Sequence, residues 1–230
     1  MFIPLKDSGF RLSPPYITFA IILINIVIFI YQSNLPPEAL KSWIYSGGVV
    51  ANQLFNKGPI GFTTPFISSL FIHGSLLHLA GNMLYLWIFG DNIEGTLGHG
   101  KYILFYFCAG IAATLCQIII QPRADIPIIG ASGAISGVLG AYLIRYPRAR
   151  IQVFFWFILI IKRVWIPAAY VLCFWFLLQI SNALGALTFQ QDGGVAWFAH
   201  IGGFLAGIAL LFTLEPYERK RVWKQLNRNY

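Results

Sequence analysis

Charge is scarce in this sequence exactly where a soluble protein would need it. Only 10% of its 230 residues are charged, and the eight acidic residues are half as many as the sixteen Lys and Arg. No Asp, Glu, Lys or Arg falls within the apolar runs 16–31, 71–89, 102–120, 128–144, 165–180 and 195–214. Charges inside spans mark many ion and proton pathways, so their absence speaks against a channel or transporter, and no inverted repeat of the transporter kind is present. Cysteine is also scarce. Cys108, Cys116 and Cys173 all lie in apolar runs and read as small buried hydrophobes, with no disulfide framework and no metal pair. What remains is 57% hydrophobic, with a mean hydropathy of +0.69, which is membrane composition.

The formal charge of +8 does not argue for nucleic acid, because the basic residues lie between the apolar runs and at the C-terminus. With six spans and the N-terminus inside, Lys6, Arg11, Lys101, Arg145, Arg148, Arg150, Lys162, Arg163 and the five basic residues after 215 are cytoplasmic. Only Lys41, Lys57 and Arg123 lie outside, as the positive-inside rule requires. The run 151–161 would extend about 16 Å as a helix, too short for a core of about 30 Å, and is read as interfacial or re-entrant. Crossing there would export the basic tail. No A-x-A-like cleavage site follows the first run, which is read as a retained span. The expected organisation is an all-α, polytopic six-transmembrane-helix bundle over 16–214. A cytoplasmic leader, 1–15, precedes it and a basic cytoplasmic tail, 215–230, follows. The long segment 33–70, rich in aromatics, is expected to fold back into the outer interface.

Few polar side chains enter the spans. The four histidines are His73, His78, His99 and His200. His78 lies about seven residues into span two, Ser132 about five into span four and His200 about five into span six. At about 1.5 Å per residue all three sit roughly 8–11 Å below the outer surface. His78 and Asn82, four apart, share a helix face. His73 and His78 are about 140° apart around a helix, which does not suit joint zinc ligation, and no carboxylate or cysteine joins them. Serine in a span usually packs or bonds a backbone carbonyl. A serine nucleophile needs a base and donors for its oxyanion. Gly133, Gly137 and Gly140 on span four and Gly203 and Gly207 on span six permit close helix approach, which would bring His200 toward Ser132.

The motifs His73-Gly-Ser-Leu-Leu-His78-Leu-Ala-Gly-Asn82, Gly130-Ala131-Ser132-Gly133 and His200-Ile-Gly-Gly203-Phe-Leu-Ala-Gly207 resemble those of the rhomboid intramembrane serine proteases, in the family's order and spans. The 90–98 segment with Glu94 resembles the family's inner-face turn. The resemblance implies Ser132 as nucleophile and His200 as general base. It implies an oxyanion hole of His78, Asn82 and the Ser132 backbone N–H, and a structural role for His73. No metal or cofactor is expected, and the resemblance implies substrates that are transmembrane segments of other proteins, cut near the outer face of the cell membrane. A rhomboid-like chaperone or retrotranslocation factor is the alternative, but those proteins lack the serine or the histidine.

Two positions depart from the family pattern. Trp43 is followed by Ile44 where many members have Trp-Arg. Ser136 stands where some carry an aromatic that supports the histidine, so support for His200 has to come from elsewhere. Ser136 is also a rival nucleophile, about 6 Å deeper than Ser132. The segment 181–194, with Gly185, Gly193 and Gly194, is expected to form a moving cap that admits water.

Overall fold

The computed structural model describes residues 2–9, 11–56, 59–157, 160–189 and 195–226. Four helices are long and apolar enough to cross a membrane: α1 (Tyr16–Ser33), α5 (His99–Ile120), α7 (Ala168–Phe189) and α8 (Trp197–Leu214). Two others complete the bundle, α4 (Leu76–Leu97) and α6 (Ser132–Arg145). The segment after α1 folds into α2 (Pro37–Gly47) and α3 (Pro59–Ser68), with 3₁₀ turns at Ala51–Asn56 and Ser69–Phe71. The fold is therefore helical and membrane-embedded.

Helix α6 is the centre of the bundle. It packs against α4, α5, α7 and α8, and ten of its fourteen residues from Gly133 to Tyr142 are buried in sequence. Fourteen helical residues extend about 21 Å, well short of a hydrocarbon core of about 30 Å. A crossing built on α6 would therefore need the chain leading into it to reach membrane depth without helical hydrogen bonds. Such backbone is tolerated only where protein or a wet cavity satisfies it. Here Ile128 and Val49 exchange backbone hydrogen bonds of 2.8 and 3.1 Å, and the Gly130 N–H donates to the Ser69 carbonyl at 2.8 Å. Gly130 has a φ of +108°, a conformation that favours glycine. It ends the extended approach and lets the helix begin at Ser132.

The segment 33–70 is held without the Trp-Arg pair. Trp43 meets Tyr31 edge-on at 5.2 Å, and the Ser68 hydroxyl donates to the Gly47 carbonyl at 2.7 Å. The Gln32 side chain, on α1, accepts from the His73 N–H at 3.3 Å and donates to the His73 carbonyl. His73 thus fixes the entry to α4 through its backbone.

At the other end of the bundle, α1 starts without intrahelical partners for its first N–H groups. The buried Glu94 carboxylate supplies them, accepting from Ile17 N at 2.9 Å, Thr18 N at 2.8 Å and Thr18 Oγ at 2.7 Å. A negative charge is favoured at that helix end. His99 Nδ1 lies 2.7 Å from the same carboxylate. Arg145 closes α6 with an ion pair to Glu215 and stacks on Trp223 at 4.1 Å. Trp223 belongs to α9 (Tyr217–Leu226), so part of the basic tail is packed on the body.

Several sequence expectations are corrected. No turn occupies 90–97. Helix α4 runs on to Leu97 because Asp91, Asn92, Glu94 and Thr96 find partners inside the protein instead of water, and the break comes at Gly98, φ +81°. Span four does not begin at 128: the chain stays extended through Ile128, so Ser132 opens its helix. The run 151–161 is not helical. It contributes to strands β2 (Arg150–Phe157) and β3 (Ile160–Pro167), and β1 (Phe2–Asp7) from the leader pairs antiparallel with β2. A continuous apolar run carries no period to separate strand from helix, and its β-branched and aromatic residues suit a sheet. The Tyr142 hydroxyl pins β1 by donating to Asp7 Oδ2 at 2.6 Å. Burial pushes the Asp7 carboxyl above its ordinary range, against the opposing pull of that hydrogen bond.

Candidate active site

Ser132, His78, Asn82 and His200 line a single cavity of about 1320 Å³. They reach it from three helices, α4, α6 and α8. Ser132 is the first residue of α6, so the unpaired N–H groups of that helix's first turn lie beside it. His78 sits in the first turn of α4, whose cap is the Ser75 side chain accepting from the His78 N–H at 3.1 Å. Asn82 follows one turn later. His200 lies in the first turn of α8, which Gln117 on α5 ties down by accepting from the Ala199 N–H at 3.1 Å.

Glycines set the distances. A Cβ on Gly130 would lie 2.7 Å from His78 Nε2 and 3.5 Å from Asn82 Nδ2, so both side chains lie against the backbone two residues before Ser132. One residue after the serine, α6 meets α8: a Cβ on Gly203 would land on the Gly133 carbonyl, and one on Gly207 on the Gly137 carbonyl. His200 is one turn from Gly203 on that face. Gly203→Val forces these backbones apart, and overpacking of this kind costs about 1–3 kcal/mol. The variant should melt at lower temperature in detergent and lose activity. Gly185→Ala, on α7 where a Cβ meets nothing within 4 Å, should do neither.

The Asn82 and His78 side chains both contact His73. Asn82 Nδ2 donates to His73 Nε2 at 2.8 Å, which leaves the second N–H of that amide for the cavity. The His73 ring, buried, also stands edge-on to His78 at 5.0 Å. His73 therefore acts on the site through Asn82 and His78.

Support for His200 comes from residues the sequence did not single out. His200 Nδ1 lies 2.8 Å from Gln179 Oε1. The Gln179 amide is oriented by its own Nε2, which donates to the Trp175 carbonyl at 3.1 Å. An amide oxygen only accepts, so Nδ1 carries the proton and Nε2 is left free to accept one. The rings of Trp175 and Trp197 flank the imidazole at 6.1 and 5.9 Å. Gln179 is the one amide in the run 165–180, and that isolation was the signal available for it. Ser136 also lines the cavity, but its hydroxyl donates to the Ser132 carbonyl at 2.7 Å, an ordinary back-bond within a helix.

The expected cap is only partly visible. Helix α7 continues through Gly185 to Phe189, so the first half of 181–194 is helical, and Gly193 and Gly194 lie outside the described residues.

A family model described as "Rhomboid domain" matches residues 62–217. Rhomboid protein 1, mitochondrial, of Saccharomyces cerevisiae is 30% identical over 225 residues, 95% of this chain and 58% of that protein. Presenilin-associated rhomboid-like protein, mitochondrial, of Bos taurus is 30% identical over 170 residues, covering 70% of this chain and 40% of that protein. Rhomboid protease GluP of Bacillus subtilis is 30% identical over 139 residues, 60% of this chain and 26% of that protein. The chain spans roughly a quarter to three fifths of the length of these relatives. The match covers most of the chain, including Ser132, His78, Asn82 and His200, and the protein belongs to the rhomboid family of membrane proteins.

Proposed function

We propose that this protein is an intramembrane serine endopeptidase that cuts transmembrane segments of other membrane proteins near the outer face of the cell membrane. The observation that carries the reading is the convergence of Ser132, His78, Asn82 and His200 on one cavity at the start of a helix too short to cross the bilayer. In this reading residues 16–214 form a six-span domain of α1, α4, α5, α6, α7 and α8, with the leader and basic tail cytoplasmic. The distribution of Lys and Arg supports that orientation.

His200 Nε2 takes the proton of Ser132 Oγ as the oxygen attacks the scissile carbonyl, and later returns it to the leaving amine. The tetrahedral oxyanion is held by the Ser132 N–H, the free N–H of Asn82 and the His78 ring, with the positive end of α6 behind them. Water then releases the acyl group by the same steps in reverse order. Helical amides in a substrate already bond one another, so segments with helix-weakening residues are favoured, and a small residue before the cut bond suits the confined site.

Cleavage of a transmembrane substrate in proteoliposomes, followed by gel mobility of the products, tests the proposal. His78→Ala and Asn82→Ala should each lower turnover with the fold intact. Loss of one oxyanion donor typically costs about 10²–10³ in rate, roughly 3–4 kcal/mol, and less where the remaining donors share the charge. Full activity in both single variants and in the double variant would show that the oxyanion is held elsewhere.

A further inference from the structure

The three-stranded sheet is not used by the chemistry above. It follows the C-terminal end of α6, while Ser132 stands at the N-terminal end, so the two are separated by the helix's length of about 21 Å. Strand β3 ends at Pro167, and α7, one of the membrane-length helices, begins at the next residue. The sheet therefore stands at the membrane surface opposite the cavity mouth.

Its register divides its side chains between two faces. Ile151 pairs with Asp7 and Ile166, and Val153 with Pro4 and Val164. Side chains two apart on a strand share a face, so Asp7, Ile151, Val153, Val164 and Phe155 lie on one side. Ile151 and Val153 are fully buried in the bundle's core. Farther along that face Val164 is 44% and Phe155 39% exposed. The face that packs on the helices thus continues past their edge, where the surroundings of a membrane helix are lipid. The sequence around the hairpin, Phe154 to Ile161, is apolar throughout.

Charge on the sheet has one sign at its surface. Lys6, Arg150, Lys162 and Arg163 are exposed, and none of them enters an ion pair among the described residues. The sheet's one acid, Asp7, is turned inward to Tyr142. Lys6 lies 5.5 Å over the exposed Trp165 ring. Lys162 opposes Phe155 across the ladder, and its stem can follow the apolar face while its ammonium reaches outward.

We infer that the sheet is a binding element for anionic phospholipid. The face carrying Val164 and Phe155 rests at the boundary of headgroups and acyl chains, where indole rings also settle. Lys162, on that face, engages headgroup phosphates, and Lys6 and Arg163, on the opposite face, add to the positive field at the same surface. Each cation near an anionic surface contributes roughly fivefold in affinity. The sheet joins the leader to the loop between α6 and α7, so lipid bound there fixes the end of the helix that carries the serine.

An environment-sensitive fluorophore on Val164→Cys, in the full chain with its three native cysteines replaced by serine, tests this in lipid nanodiscs. Lipids brominated on the acyl chain should quench the probe, and more strongly in discs with 30% phosphatidylglycerol than in phosphatidylcholine alone. Lys162→Gln with Arg163→Gln should remove the phosphatidylglycerol increment, lowering apparent affinity for that lipid roughly 25-fold. Quenching by aqueous iodide but not by brominated lipid would place this face in water and overturn the inference. Quenching by neither would place it against protein, such as a second copy, and would overturn it equally.

Discussion

Ser132→Ala is expected to abolish cleavage of a transmembrane substrate, and His200→Ala to do the same. Both residues line the same cavity, and their helices touch backbone to backbone at Gly133 and Gly203. A serine hydroxyl is a weak nucleophile without a base. Groups that act as a unit are not additive, so the double variant should be no slower than either single one. Product formation in detergent, measured over hours to reach the background rate, checks all three. A general base must be neutral to accept a proton. Activity should therefore fall as the pH drops and the imidazole takes up a proton.

Gln179→Leu is expected to slow turnover with little change in KM. The amide oxygen holds Nδ1 as the protonated nitrogen of His200, and Trp175 holds the amide. Leucine fills similar volume but leaves a buried N–H without a partner, at a cost of about 1–3 kcal/mol, or roughly 5–150-fold in rate. A purely structural effect would lower the melting temperature without touching the pH profile, so the informative partner is Gln179→Glu. A carboxylate beside the ring keeps the acceptor and favours the imidazolium. That variant should regain turnover at high pH, and the acid limb of its pH–rate profile should move to higher pH. Profiles that superimpose on the wild type would remove Gln179 from the positioning of the base.

The site was more legible in the sequence than the scaffold around it. His78 and Asn82 share a face by spacing alone, and the glycines on two runs announced where helices could touch. The apolar pattern puts Ser132 five residues inside a span, whereas it begins α6. The cause is tertiary: Val49, far away in sequence, pairs with Ile128 and keeps the chain extended, and no local pattern reports that. The sheet was missed for a related reason. An unbroken apolar run has no period, and the strand that completes the sheet lies some 150 residues upstream in a leader that looked polar. Gln179 was visible as a lone amide in an apolar run, yet only the fold brings α7 against α8 and makes it a partner of His200.

Labelling by a serine-reactive fluorophosphonate tests the central claim most directly, since it asks whether one hydroxyl in the protein is activated. In detergent-purified protein, wild type and Ser136→Ala should take up the probe, and Ser132→Ala should take up none. Labelling of Ser132→Ala at the wild-type level, or its retention there with loss in Ser136→Ala, would contradict the assignment of Ser132 as nucleophile.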